Sequence, residues 1–328
     1  MKATATAHAN IAFIKYWGKR DEALNLPAVG SISLTLKELR TVTTVEWKAS
    51  LTRDELILNG NLASGQELER VSSFLRLILR LAGGKGHARV ESKNNFPTGA
   101  GLASSASAFA ALALAGTRAA KVRLTPTELS VLARQGSGSA ARSIFGGFVE
   151  MTAGVQPDGS DAFAHQIASE NFWEVRLLVA ITSREAKKIG STEGMRRSTR
   201  TSPYFPAWVK SQQQDLEEMR RAILTRDLQK VGELMEFNCL KMHALTLSSR
   251  PPFSYWNAAT LELMKTVHDL RAGGIPAYFT IDAGPQVKVL CRPEESAKIK
   301  EALENLPGVR EVLVARPGPG AYLIGESQ

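Results

Sequence analysis

Cysteine is scarce in this chain: there are two in 328 residues, Cys239 and Cys291, far apart. That excludes a disulfide framework, offers no zinc-ligand spacing and suits a reducing cytoplasm. Long apolar runs are missing too. No stretch reaches the roughly 18 apolar residues in a row that a membrane span needs. The opening MKATATAHAN lacks the apolar segment of a signal peptide. Internal repeats and low-complexity tracts are absent. So are two common nucleotide signatures. Gly-x-x-x-x-Gly-Lys-Ser/Thr does not occur, and Gly-x-Gly-x-x-Gly fails because Ser104 stands where the third glycine would follow Gly99 and Gly101.

What is present argues for a well-packed enzyme. Hydrophobic residues make up 44% of the chain, enough for a proper core, and the length allows two domains of ordinary size. The net charge is +9. Basic residues are interspersed with acidic ones, and no aromatic–basic RNA-binding motif appears. The charge therefore points to a cleft that collects small polyanions, with no nucleic-acid or membrane partner expected.

Residues 97–107, Pro-Thr-Gly-Ala-Gly-Leu-Ala-Ser-Ser-Ala-Ser, are the most informative stretch. A glycine-rich turn runs straight into an alanine-rich helix. Small residues let backbone N–H groups approach an anion, and the helix adds free N–H groups and the positive end of its dipole. Ser104 and Ser105 add hydroxyls for phosphate or Mg²⁺. The alternative is a tight strand-to-helix turn packed for structural reasons.

Periodicity outlines the rest. Residues 41–47 read as a strand, and Asn59-Gly60 closes a hairpin after Glu55–Leu58. Helical spacing covers 67–82 and stops at Gly83-Gly84, and a strand near 86–92 leads to the glycine turn. The helix after that turn runs from about 103 to 120. Thr125-Pro126-Thr127-Glu128 is a capping box opening a helix that ends before Gly136. A strand at 174–182 follows, then helical patterns near 206–224, 227–246 and 256–272. Strands near 277–282 and 286–291, a helix near 294–305, and strands near 309–314 and 321–324 complete the chain. Together these predict an α+β protein of two domains, 1–183 and 184–328, with a cleft between them.

Four further segments carry chemistry. Residues 10–19, Asn-Ile-Ala-Phe-Ile-Lys-Tyr-Trp-Gly-Lys, place Lys19 after an aromatic pair and a glycine. Residues 134–147 hold Ser137, Ser139 and Arg142 on a glycine-rich turn, a second anion cradle. Lys187-Lys188-Ile189-Gly190-Ser191-Thr192 is the third, with one lysine expected in the site and one in solvent. The fourth, Thr280-Ile281-Asp282-Ala283-Gly284-Pro285, puts an acid at the end of an apolar strand.

These segments, with M-H-A-L-T-L at 242–247, occur in the order of a known family. The sequence resembles the diphosphomevalonate decarboxylases of the GHMP kinase superfamily across nearly its whole length. The glycine turn marks only the superfamily, while K-Y-W-G-K, G-S-G-S-x-x-R and D-A-G-P together mark the decarboxylase branch. The resemblance implies a GHMP kinase-like fold, with a deep cleft between an N-terminal β/α domain that binds ATP and a C-terminal helix-plus-antiparallel-sheet domain. It implies ATP-dependent decarboxylation of mevalonate 5-diphosphate to isopentenyl diphosphate, with ATP and Mg²⁺, in a cytoplasmic homodimer. The 3-hydroxyl is phosphorylated first, and phosphate and CO₂ then leave.

Roles follow by motif. The resemblance makes Asp282 the catalytic base, or the group that orients the 3-hydroxyl. Lys19 neutralises charge near the same centre, and Arg142 contacts the substrate carboxylate or adjacent phosphate oxygens. Tyr16, Lys19, Ser137 and Ser139 line the substrate's anionic groups, and Asn10 orients polar groups nearby. Pro97, Gly99, Gly101, Leu102, Ser104 and Ser105 take the nucleotide, with Ser105 the Mg²⁺ candidate. Lys187 and Ser191 place the γ-phosphate. His243, on an apolar stripe, reads as packed rather than catalytic, and Arg196, Arg197 and Arg200 read as a solvated face or a phosphate contact. Two departures bear on the substrate's phosphate count. Val29-Gly30 stands where relatives carry a polar pair, and Thr192 where some bacterial relatives carry Arg. A phosphomevalonate decarboxylase, a 3-kinase of the same fold and a non-enzymatic polyanion binder remain the alternatives.

Overall fold

The computed structural model describes residues 1–96, 104–185 and 187–325. The turn at 97–103, with Pro97, Gly99, Gly101 and Leu102, lies outside the described residues. The chain opens with β1 (Lys2–Ile14), the short pair β2 (Lys19–Asp21) and β3 (Leu26–Pro27), and the long β4 (Ser31–Lys48). Next come β5 (Glu55–Leu58) and β6 (Asn61–Leu62), joined by Asn59-Gly60 with φ of 50° and 87°. Then follow α1 (Gly65–Leu81), β7 (His87–Asn94), α2 (Ser104–Ala119), α3 (Pro126–Gly136), a 3₁₀ segment Gly138–Ile144, β8 (Phe148–Met151) and β9 (Ala164–Ala168). β2 and β3 pair with each other, and the other strands join one sheet in the order β1-β4-β7-β5-β6, with β8 on β4 and β9 on β8. All of its pairings are antiparallel except β5 with β7.

The second part begins with β10 (Arg176–Ile181) and continues through α4 (Ser191–Thr201), α5 (Phe205–Leu224), α6 (Leu228–Leu247) and α7 (Ala258–Ala272). It ends with β11 (Tyr278–Ile281), β12 (Val287–Cys291), α8 (Ser296–Glu304), β13 (Glu311–Ala315) and β14 (Tyr322–Leu323). Its sheet runs β11-β12-β10-β13, all antiparallel. β10 therefore belongs to the second sheet. β14 returns to pair with β1, Ala5 opposite Leu323.

Local chemistry accounts for the helices that matter to the site. Thr125 and Glu128 cap α3 reciprocally: the Glu128 carboxylate accepts from the Thr125 N–H at 2.8 Å, and Thr125 Oγ1 accepts from the Glu128 N–H at 3.3 Å. The helix runs through Gly136, one residue past the expected stop. In α2, Ala106, Ala110, Ala111 and Ala113 are fully buried, so small side chains bring the helix close to the sheet. One core joins both sheets: Ile11, Phe13 and Phe148 pack with Leu177, Val179, Met219, Met235 and Tyr278. Gly232 of α6 is part of that seam, since a Cβ there would lie 2.0 Å from the Tyr278 ring. Gly232→Ala is expected to lower stability by about 1–3 kcal/mol despite alanine's better helix propensity. An unchanged urea midpoint would remove this packing argument.

Candidate active site

The end of β1 is held from two helices. The Lys15 N–H donates to Asn238 Oδ1 at 2.8 Å on α6, and Gln212 Nε2 on α5 donates to the Lys15 carbonyl at 3.0 Å. This turns the Lys15 side chain inward, where Nζ donates to the Ala12 carbonyl at 2.8 Å and to Asp282 Oδ1 at 2.6 Å. Asp282 follows β11 directly. On the neighbouring β12, Lys288 pairs in register with Thr280, two residues before Asp282 and on the same face. Lys288 is fully buried, with Nζ 3.1 Å from Asp282 Oδ2. Burial alone would raise the Asp282 pKa, but the Lys15 and Lys288 charges overcome it and hold the carboxyl well below the usual range. Its Oδ2 is buried against Lys288.

Two more cations act on the same carboxylate. Lys187 Nζ donates to Ser191 Oγ at 2.8 Å, at the start of α4, and to the Ala283 carbonyl at 3.0 Å. Burial pushes its pKa down to about 8, against the pull of Asp282 and with help from Lys288. Arg142 is buried and bonds neutral oxygens: Nε to Ser33 Oγ at 2.9 Å, Nη2 to Asn10 Oδ1 at 3.0 Å, and Nη1 to Ser31 Oγ. Burial brings it down to about 10, with Asp282 opposing. Lys15, Lys187, Lys288 and Arg142 thus surround one carboxylate. A buried surplus of positive charge is costly unless an anion completes it.

The anion cradle lies beside this cluster. Asn10 Nδ2 donates to the Ser139 carbonyl at 3.0 Å and to Ser143 Oγ at 2.8 Å, tying Arg142 to the 3₁₀ segment. Ser105 Oγ lies 3.2 Å from Ser137 Oγ, which lies 3.4 Å from Ser139 Oγ. This row of hydroxyls links the start of α2 to the cradle. Gly138 is needed for it, because a Cβ there would fall 2.5 Å from the Tyr16 phenol. The Tyr16 hydroxyl is buried without a protein partner, and burial pushes its pKa up. Gly18 lets the chain turn beyond this point at a φ of 97°, against Phe205.

Asn10, Tyr16, Ser137, Ser139, Arg142, Lys187, Ser191 and Asp282 lie in these two clusters, with Ser104 and Ser105 at the start of α2. The cations paired directly with Asp282 are Lys15 and Lys288. Lys19 lies on β2, where burial lowers its pKa, Glu22 opposes the shift, and Arg70 and Arg196 reinforce it. Lys15 and Lys288 were missed, although each is a charge set in an apolar run. Lys187 is half-buried and Lys188 exposed, as expected. His243 is packed: its Nε2 lies 3.3 Å from the Ile281 carbonyl, its ring 4.9 Å from Trp256, and burial pushes its pKa down to about 3.

Residues 7–164 match the family described as "Diphosphomevalonate decarboxylase-like N-terminal domain". Residues 177–313 match "Mevalonate 5-diphosphate decarboxylase C-terminal domain". The chain is 40% identical to the diphosphomevalonate decarboxylase of Homo sapiens, covering 98% of this chain and 94% of that protein. It is 39% identical to that of Candida albicans, covering 99% and 98%. Among solved structures, the mevalonate diphosphate decarboxylase from Enterococcus faecalis is 41% identical with a TM-score of 0.91, covering 99% of each chain. A structure described as MDDEF in complex with MVAPP, AMPPCP and magnesium gives 0.93 at 41% identity, with the same coverage.

Proposed function

Because the chain belongs to the diphosphomevalonate decarboxylase family, we propose that the cleft around Asp282 is where it carries out its reaction, the ATP-dependent decarboxylation of mevalonate 5-diphosphate to isopentenyl diphosphate. The observation that carries this assignment is the single carboxylate set among Lys15, Lys187, Lys288 and Arg142. Such a site suits a substrate with a carboxylate and phosphates at one end and a neutral hydroxyl between them.

Asp282 accepts a hydrogen bond from the 3-hydroxyl and aims the hydroxyl oxygen at the γ-phosphorus. A carboxylate held this far below its usual pKa is a weak base, so orientation is its larger contribution, and it receives the hydroxyl proton late, as the O–P bond forms and the bond from the γ-phosphorus to ADP breaks. Lys15 and Lys187 take up the charge moving onto the transferred phosphoryl group. The C–O bond to that phosphate then breaks, the electrons of the bond to the carboxylate carbon form the alkene, and CO₂ departs. Arg142 holds the carboxylate until that step. Asn10, Tyr16, Ser137 and Ser139 seat the anionic end, together with Lys19.

The nucleotide site fits Mg²⁺ through its donor chemistry. Among the described residues no cluster of three or more His, Cys, Asp or Glu could hold a metal. The ion would therefore come with the ATP phosphates and take the Ser105 hydroxyl, supplying charge neutralisation. Ser104 and the turn at 97–103 complete this reading. The exposed Val209 on α5 and Phe237, Leu240 and Leu247 on α6 support a homodimer. The two free, buried cysteines support a cytoplasmic setting.

The direct test supplies ATP-Mg with mevalonate, its 5-phosphate or its 5-diphosphate, and measures ADP and CO₂ separately. Equal release of both from the 5-diphosphate is expected. ADP without CO₂ would make the protein a 3-kinase, and preference for the 5-phosphate would make it the sister decarboxylase. Lys187 gives a pH test. Its ammonium is charged below its pKa of about 8 and neutral above it, so kcat/KM for ATP should fall as pH rises through that region. Lys187→Arg should move the falling limb out of range, because the guanidinium stays charged. An unshifted limb would place the titration elsewhere.

A further inference from the structure

β11 is the edge of its sheet, whose order is β11-β12-β10-β13. Antiparallel pairing turns every second residue's N–H and C=O toward the partner strand and the others away from it. On β11 the outward groups include those of Phe279 and Ile281, and α6 meets them where a further strand would lie. It does so with Glu236, Cys239 and His243, which share one face of the helix by their spacing. The Phe279 N–H donates to Glu236 Oε1 at 2.9 Å, and the Ile281 N–H donates to Cys239 Sγ at 3.1 Å. The Ile281 carbonyl accepts from Cys239 Sγ at 3.4 Å and from His243 Nε2 at 3.3 Å. All three side chains are buried, so solvent is no substitute for these bonds.

The Ile281 carbonyl belongs to the peptide unit that leads into Asp282. That unit is planar, so fixing its oxygen fixes where the Asp282 side chain starts. The strand ends at this point, and the Asp282 carbonyl already accepts from the Gly284 N–H at 2.8 Å in the turn beyond. The same helix addresses the other half of the ion pair. Asn238, next to Cys239, accepts the Lys15 N–H at 2.8 Å. Its amide nitrogen donates to Gln212 Oε1 at 2.9 Å and Asp215 Oδ2 at 2.6 Å, so the oxygen is the atom turned to Lys15. His243 suits the task as a neutral donor. Facing a carbonyl, its Nε2 carries the hydrogen, and burial, with the Lys15 charge, keeps the ring unprotonated. Another buried cation would only add to the surplus around Asp282.

We propose that His243 and Cys239 are positioning residues for the reaction: they hold the Ile281 carbonyl, and through it set the Asp282 carboxylate against the substrate's 3-hydroxyl. This rests on the role of Asp282 proposed above. Both side chains sit behind β11 and act through Asp282, while the side chains that seat the anionic groups lie on other elements. Their contribution is therefore to turnover and not to binding. A small displacement suffices, since a misplacement of about 1 Å can cost about 10²-fold in rate.

The test is steady-state kinetics of the full chain with ATP-Mg and mevalonate 5-diphosphate. His243→Phe keeps a ring against Trp256 but removes the donor. Its kcat should fall about 10- to 100-fold, with KM for both substrates within about threefold of wild type. His243→Gln, whose amide nitrogen can reach the same carbonyl, should recover much of that rate. Cys239→Ala should lose kcat in the same way, and Cys239→Ser, which keeps a donor and an acceptor, should lose less. Added to Asp282→Asn, His243→Phe should cost less than about twofold more, because the carboxylate it positions is gone. An unchanged kcat in His243→Phe, a loss that falls on KM, no recovery in His243→Gln, or a full further loss on top of Asp282→Asn would overturn the positioning role. Should His243→Phe not fold, Cys239→Ala against Cys239→Ser makes the same comparison, with the same split between kcat and KM. An Asp282→Asn variant as active as the wild type would instead overturn the role of Asp282.

Discussion

Asp282→Asn should lose about 10³-fold or more in kcat while still binding ATP, since it removes an orienting carboxylate and unbalances the charges around it. The amide keeps the shape of the side chain but cannot answer Lys15 at 2.6 Å or Lys288 at 3.1 Å. Two buried ammonium groups are then left without their counter-charge, and the 3-hydroxyl loses its carboxylate acceptor. ATP affinity, measured without substrate, is the control, because nothing in Asp282's position addresses the nucleotide base or ribose. A variant retaining more than about a tenth of the wild-type rate would show that the carboxylate does not orient the reacting group.

Lys15→Met should cost about 10²–10³-fold in kcat, the scale of removing one fixed donor from a developing charge. Methionine fills the space of the stem, so packing beneath β1 is preserved. The ammonium cannot be replaced by solvent, because the side chain is only 2% exposed. The stronger test is the double variant with Asp282→Asn. If the two act as one unit, the double variant should be little worse than Asp282→Asn alone. Losses that multiply would mean that Lys15 acts independently of Asp282, and would break the pairing on which its role depends.

Most of the fold was legible where local chemistry decides it. The capping box at Thr125, the Asn59-Gly60 turn and the helical stripes of α1, α5, α6 and α7 depend on residues close in sequence, and their positions came within a few residues. What was missed depends on distant partners. β1 alternates weakly because Thr4 to Ile14 is mostly buried on both faces, between α2, α6 and the neighbouring strands. β8 and β9 are short, and their sheet position is fixed only by β4. α4 carries three arginines and little apolar surface; its seat is made by Met195 against Trp17, Phe253 and Tyr255.

The site divided along the same line. Motif residues such as Asp282, Arg142 and Ser139 were legible from their neighbours in sequence. Lys15 was not separated from Lys19, because the distinction lies in Asn238 and Gln212, which clamp the Lys15 backbone from more than a hundred residues away. Lys288 did carry a signal. A lysine between Val287 and Val289 in a strand buried throughout must have an anionic partner nearby, and the register across to Thr280 identifies it.

The pairing of β14 with β1 has a consequence for biosynthesis. The outer edge of the first strand made is covered by the last one, through Ala5 with Leu323 and Thr6 with Tyr322. During synthesis the larger sheet keeps an open edge until residue 323 has left the ribosome, and its shared core waits for β10 and α6. Open edges template pairing with other chains. The amino-terminal half made alone should therefore aggregate rather than fold, and release of the full chain, not completion of its first half, is the step at which a chaperone has the most to protect.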